Sequence, residues 1–211
     1  ENPTVSCPGP INVECLTYSG TSASDLAIQA FLNAFTASDN CPPAPTKSND
    51  APATFPHGLT TVTFTAVDGS GLSSQCTAGV TIIDTTPPVV TCPADLTLEC
   101  DSHCDASLGG VPATDAAVVA WLGSFSALDA CHPTLATTLP HPACFKLGDT
   151  SVTFTATDDD GNASSCTRTV HVVDTTPPTI AVVLDRTVLW PPNHKMATIN
   201  AAVTIADICD P

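Results

Sequence analysis

The sequence is short of positive charge. Lys and Arg together number 5 against 21 Asp and Glu, a formal net charge of −16. An acidic surface repels phosphate backbones and anionic lipid, so no nucleic-acid partner is expected. No apolar run approaches the ~20 residues of a spanning helix, so no membrane insertion is expected. Aromatic residues make up only 5% of the chain, with a single Tyr. That scarcity argues against an aromatic platform for stacking sugars and leaves Ala, Val and Thr to carry the apolar pattern. There is no C-x-x-C pair, G-x-S-x-G, H-E-x-x-H or phosphate-binding Gly loop, so no enzymatic activity is expected. Glu14 and Glu99 occupy the same place in two repeats, but neither has a second carboxylate beside it for acid–base work.

Cysteine and proline, by contrast, are abundant, with 11 Cys and 20 Pro. So many Cys outside metal-binding spacings read as disulfides formed in an oxidising compartment. The chain begins at Glu1 without a visible signal peptide, as expected of a processed form.

One stretch occurs twice, 90 residues apart: TTVTFTAVDGSGLSSQCTAGVTIIDTTPP at 60–88 and TSVTFTATDDDGNASSCTRTVHVVDTTPP at 150–178. Each copy holds an alternating strand (Val62, Phe64, Ala66; Val152, Phe154, Ala156), an Asp/Gly turn, a second strand with one Cys, and a Thr-Thr-Pro-Pro exit. Upstream, PTVSCPGPINVEC matches PPVVTCPADLTLEC, and DLAIQAFLNAF at 25–35 matches DAAVVAWLGSF at 115–125. The latter pair predicts a short helix with Leu26, Ile28, Phe31, Leu32 and Phe35 on its core stripe and Ser24 and Thr114 as N-caps. A D-x-C-x-P corner follows at 39–43, at 129–133 and again at 207–211. These patterns predict an all-β chain of tandem immunoglobulin-like sandwich domains, each with one inserted helix and stapled by disulfides. The expected domains are 1–86, 87–176 and a first part of an incomplete third at 177–211. The DTTPP linkers predict a rod with restricted bending.

The ordered recurrence of P-x-V-x-C-P, the D-x-C corner, TVTFTAVDGSG and SVTFTATDDDG, S-x-C-T and D-T-T-P-P resembles the hyalin repeat (HYR) family. Such immunoglobulin-like extracellular modules occur in echinoderm hyalin and in secreted bacterial surface proteins, and a bacterial surface protein is expected. The resemblance implies adhesive or matrix architecture and carries over no catalytic residue. LWPPNHKM at 189–196 looks like a segment that follows such repeats, with His194 and Met196 as soft-metal ligands or, more simply, as part of a structural cap.

Four Cys per repeat allow three pairings. Joining opening to closing strand gives Cys7–Cys76 and Cys92–Cys166, which leaves Cys15–Cys41 and Cys100–Cys131 to bracket the helices. Cys104 and Cys144 occur only in the second repeat and are expected to pair together, leaving Cys209 unpaired within the chain. His103, His132 and His141 cluster in the same repeat as a candidate zinc or copper site, the plain alternative being loop histidines. Asp158, Asp160 and Asn162 form the D-x-D-x-N start of a calcium loop, although the Gly falls too early for an EF-hand, no Glu closes the ring, and a simple hairpin turn is the favoured reading. Asp84 and Asp174 at the linkers are a second place for calcium; no cofactor is expected, calcium being the one candidate. Asn162 heads the only N-glycosylation sequon. The expected function is an extracellular structural or adhesive protein, self-assembling into fibres through the incomplete third domain. Its expected partners are proteins, either further copies or neighbouring surface proteins. The alternative is an accessory ligand- or glycan-binding module of a larger secreted enzyme.

Overall fold

The computed structural model describes residues 1–100, 102–105, 108–185 and 199–209, the description of 102, 103, 105 and 108 being confined to backbone. Among the described residues the chain is all-β apart from two short helices, and it falls into two compact units. Unit 1 comprises Glu1–Val89, Ala127–Thr137 and Ala156–Ser164; unit 2 comprises Val90–Ser126, Thr138–Thr155 and Ser165–Pro211. The grouping does not follow the repeats: the second D-x-C corner and the second hairpin turn pack with the first repeat.

The first repeat runs β1 (Thr4–Ser6), β2 (Ile11–Glu14), β3 (Thr21–Ser22), α1 (Leu26–Asn33), β4 (Thr36–Ser38), β5 (Thr46–Asn49), β6 (Thr54–Phe55), β7 (Gly58–Val67) and β8 (Ser73–Ile83). One layer is the sheet β2-β8-β7-β5, in which β2 lies parallel to β8 and the other neighbours are antiparallel. The ribbons β1-β4 and β3-β6 and the helix α1 supply the facing residues. Alternation puts Val62, Phe64, Ala66, Val80 and Ile82 inside, all at most 1% exposed. Phe64 is the centre of that core, its ring 5.7 Å from Phe31 and 5.0 Å from Phe35. Gly71 turns the β7–β8 hairpin at φ 83°, a region that L side chains rarely adopt, which is why glycine recurs there as Gly161.

The second repeat runs β9 (Val89–Thr91), β10 (Leu96–Glu99), β11 (Ser102–Asp105), β12 (Leu108–Pro112), α2 (Ala116–Leu122), β13 (Ser126–Leu128), β14 (Ala136–Thr138), β15 (Cys144–Lys146), β16 (Gly148–Thr157) and β17 (Ala163–Val173). Its main sheet, β10-β17-β16-β14, repeats the order of the first. Trp121 packs edge-on to Phe154 at 5.2 Å, and its indole N–H donates to the Ala94 carbonyl at 2.6 Å, satisfying the one polar atom the ring brings inside. The insertion holding Cys104 builds an extra sheet, β11-β12-β15. Beyond the second linker, β18 (Thr179–Leu184) pairs with β19 (Ala201–Ala206) as an antiparallel ribbon. The LWPPNHKM segment with His194 and Met196 lies outside the described residues.

Both helices are capped one residue later than the sequence suggests. Asp25 and Asp115 sit at φ −56° and ψ 141°, an extended conformation, and their carboxylates accept from the N–H groups two and three residues on. Ser24 instead pairs its hydroxyl with Ser22 at 2.8 Å. Leu26, placed on the core stripe by its spacing, is 86% exposed.

The disulfides depart from expectation at the second and third cysteines. Cys7–Cys76, Cys92–Cys166 and Cys104–Cys144 are bonded, as the repeat comparison suggests. Cys15, however, pairs with Cys131 rather than Cys41, and Cys100 pairs with Cys209 rather than Cys131. Cys209 therefore has a partner within the chain, and Cys41 is an exposed free thiol. The reason is the packing: Cys15 is 4% exposed at the end of β2, and the corner facing it belongs to the second repeat. Each of these bridges spans more than 100 residues, 116 for Cys15–Cys131 and 109 for Cys100–Cys209. Loops near 100 residues correspond to about 4.7 kcal/mol in the chain-entropy account.

Replacing Phe154 by Ala should lower stability by about 3–5 kcal/mol, while Leu26→Ala should change it by less than about 0.5 kcal/mol. Chemical denaturation midpoints check both, and similar losses for the two variants would contradict the packing described.

Candidate functional site

Two constellations stand out, of which the first occurs in both repeats. The first is a carboxylate grip on the exit segment. Glu14 ends β2, and its two oxygens accept from Thr85 N–H at 2.9 Å, from the Thr85 hydroxyl at 2.9 Å and from the Thr86 hydroxyl at 2.9 Å. Glu99 does the same to Thr175 and Thr176, at 2.7, 2.9 and 3.1 Å. The parallel β2–β8 and β10–β17 pairings make this reachable, by bringing each Glu beside the end of the strand that enters the D-T-T segment. Asp84 and Asp174 finish the turn by accepting from the N–H of Thr86 and Thr176. The Thr85 backbone bond holds Glu14 below the usual carboxylate range against the opposing effect of burial, and the Thr86 and Thr85 hydroxyls add to it. Thr175 and Thr176 lower Glu99 in the same way. Recurrence of Glu-Cys with D-T-T was visible in the sequence; the contact between them, 71 and 76 residues apart, was not.

The second constellation is an acidic group in unit 1, where the second corner and the second hairpin turn meet Asp84. Asp84 and Asp158 are buried, at 6% and 5% exposure of the residue. Asp129 turns the corner by accepting from Cys131 N–H at 2.8 Å and His132 N–H at 2.9 Å. Asp158 staples the hairpin turn, accepting from Asp160 N–H, Asn162 N–H and the Asn162 side-chain amide. That same amide donates to the Asp84 carbonyl at 3.1 Å. His132 bridges two of the carboxylates: Nδ1 lies 2.9 Å from Asp84 and Nε2 lies 3.5 Å from Asp160, which also meets His57 at 2.9 Å. Burial pulls His132 down, but its hydrogen bond to Asp84 and the charges of Asp160, Asp84 and Asp158 outweigh it and raise its pKa above the ordinary histidine value. Burial likewise pushes the Asp158 carboxyl up, and the Asn162 bonds with those from Asp160 and Gly161 override it and hold it low.

This arrangement brings together members of both ligand sets read from the sequence and adds others. His132 is joined by His57 and two aspartates, Asp84 and Asp160. His141 belongs to unit 2, where it bonds the Pro142 carbonyl and stacks on Phe145. His103 lies on β11, and its side chain is outside the described residues. Of the calcium set, Asp158 and Asn162 face the acidic group and Asp160 faces the histidines. Oxygens of Asp84, Asp129 and Asp158 lie within 4.8 Å of one another, so these three could hold a cation. Cys131 stands beside His57 and His132, but its sulfur is bonded to Cys15 and offers no thiolate. His57 had no sequence signal, since Leu147 takes its place in the second repeat. In unit 2, Asp174 and Asp207 border an open pocket of about 350 Å³ beside Cys100.

Both grips favour the ionised carboxylate. Their stabilising effect is therefore present above the ordinary glutamate pKa of about 4.3 and lost as pH falls through the lower folded-state values of Glu14 and Glu99. Thermal melts should show an acid limb that is shallower in the Glu14→Gln, Glu99→Gln double variant; an identical limb would remove the grips from the account.

The comparisons agree with the motifs. Residues 83–172 match the HYR domain family. Hyalin of Lytechinus variegatus is 32% identical over 190 residues, covering 87% of this chain and 33% of that protein. Hyalin of Strongylocentrotus purpuratus is 36% identical over 163 residues, covering 74% of this chain and 13% of that protein. The chain thus spans a third or less of the length of these relatives, and neither supports the expected bacterial source. Among solved structures, the protocadherin gamma B7 EC3-6 cis-dimer structure covers 98% of this chain and 57% of its own at 15% identity and a TM-score of 0.39. Drosophila N-cadherin EC1-4 covers 82% and 50% at 12% identity and a TM-score of 0.39, a likeness too low to argue from. On its family match and its hyalin relatives, the chain carries a hyalin-type HYR domain across residues 83–172.

Proposed function

We propose that this chain is a structural, adhesion-type part of an extracellular protein, and that it associates with further copies through the β18–β19 ribbon. The hyalin relatives and the five disulfides support an extracellular setting. The ribbon supports association. Its cross-strand pairs Ile180–Ile205, Val182–Val203 and Leu184–Ala201 share one face, and Ile180, Ile205, Val182 and Val203 are 66%, 68%, 57% and 56% exposed. A two-stranded ribbon with a bare apolar face is marginal in water and gains from a covering strand or sheet. Repetition of that contact from copy to copy would build a fibre.

Sedimentation across micromolar concentrations, with negative-stain microscopy, tests this reading. The protein should associate with concentration, and Val182→Lys with Ile205→Lys should abolish association; a monomer at all concentrations overturns it. Calcium is the cation proposed for Asp84, Asp129 and Asp158, since it takes six to eight oxygen ligands. Adding calcium to chelator-treated protein should raise Tm, more in wild type than in Asp129→Asn; an unchanged Tm overturns the calcium reading.

A further inference from the structure

We infer that the face of unit 1 formed by the Asp39–Cys41 corner and the Asp68–Leu72 turn docks a further hyalin-type module, and that Cys41 bonds to that module's Glu-Cys cysteine. The chain contains three D-x-C corners with one geometry: the N–H of Cys41, Cys131 and Cys209 donates to Asp39, Asp129 and Asp207 at 2.7, 2.8 and 2.8 Å. The geometry alone says nothing about a partner. The bonding does, because two of the three corners are occupied, and by matched cysteines. Cys131 is bonded to Cys15 and Cys209 to Cys100, each the residue after the Glu that ends a strand paired in parallel with the long hairpin. In both cases the Glu-Cys strand comes from the repeat before the corner. Cys15 and Cys100 are thereby used, and Cys41, the corner of the first repeat, is exposed and free.

The surroundings of Cys41 match the occupied case in a second part. Where Cys131 is bonded, the Asp158–Asn162 turn stands beside it and Asn162 donates to the carbonyl of Asp84, the first residue of D-T-T-P-P. The corresponding turn beside Cys41 has the same backbone bonds, Asp68 accepting from Ser70 N–H at 2.8 Å and Leu72 N–H at 2.9 Å, without the side-chain amide bond that Asn162 makes to Asp158. It lies against the corner, since a Cβ at Gly69 would be 3.0 Å from Pro43 Cδ. Leu72, in the place of Asn162, is 42% exposed. The occupant that fits is a β-strand ending in Glu-Cys, with a D-T-T-P-P exit held by that Glu. The inference rests on the extracellular reading above, which supplies the oxidising setting.

The bond forms by thiol–disulfide exchange with a low-molecular-weight disulfide. The incoming cysteine first attacks that disulfide, forming a mixed disulfide and releasing one small thiol. The Cys41 thiolate then attacks the cysteine sulfur, the bond to the second small thiol breaks, and that thiolate takes up a proton. The two protein thiols lose two electrons and two protons, and the small disulfide is reduced to two thiols.

The test adds a module in front of the chain. Residues 1–87 placed before residues 3–211 recreate the Pro-Pro junction, and the product is oxidised in a glutathione buffer. Non-reducing peptide mapping should find Cys15 of the added copy bonded to Cys41 of the original, and iodoacetamide should label only the added copy's own Cys41. Labelling of the original Cys41, or its bonding to any other cysteine, overturns the inference. A version carrying Cys15→Ser in the added copy reads docking without the bond: a bulky maleimide should label the original Cys41 about tenfold more slowly than in the unextended chain, because access governs thiol reactivity. Equal rates overturn the docking face. Neither readout depends on self-association, so a failure here and a failure of the ribbon reading remain distinct.

Discussion

Each repeat depends on how its exit segment is held. The chain leaves the last core strand through Asp-Thr-Thr, and a carboxylate from the strand lying parallel to it accepts several N–H and O–H donors from those threonines. The next residue on that carboxylate's strand is a cysteine, which continues into a disulfide with the following corner. One dipeptide, Glu-Cys, thus does two things at adjacent positions: Glu14 and Glu99 fix the path of the backbone out of the sandwich, and Cys15 and Cys100 tie that path to a later part of the chain. Without the parallel pairing of β2 with β8 and of β10 with β17, neither group would reach its partner.

The energetics separate the two contributions. The grips are largely exposed, and exposed charge-assisted bonds are individually weak, so they order the segment more than they stabilise the fold. Long-loop disulfides act chiefly on the unfolded chain, and the hydrophobic centres around Phe64 and Phe154 supply the folded-state packing. The acidic group of unit 1 adds a third kind of contact. Burying Asp84 and Asp158 is costly unless each is well partnered, and here His132, Asn162 and backbone N–H groups provide the partners.

Much of the fold was legible because it is written in local periodicity. Val62-x-Phe64-x-Ala66 and its copy name the inner face of the hairpin, and the helical stripe correctly points Phe31 and Trp121 inward. The first-with-last disulfides were legible from the same logic, since opening and closing strands of one sandwich are neighbours. The partners of Cys15 and Cys100 were not. Four cysteines per repeat invite closure within the repeat, and only the packed structure shows a corner from the next repeat facing Cys15. The acidic group was half legible: Asp158, Asp160 and Asn162 stood out as a turn, and Asp84 as a linker residue. Their meeting with His57, which has no counterpart in the second repeat, is a matter of tertiary proximity that spacing does not encode.

The claim that binds these features together is the forward offset of the bridges, from a Glu-Cys strand to the following corner. Proteolysis of the oxidised, alkylated chain without reduction, followed by mass spectrometry of the linked peptides, tests it most directly. The account requires Cys15 linked to Cys131 and Cys100 linked to Cys209, with alkylated Cys41. Peptides linking Cys15 to Cys41 and Cys100 to Cys131, with Cys209 alkylated, would contradict it.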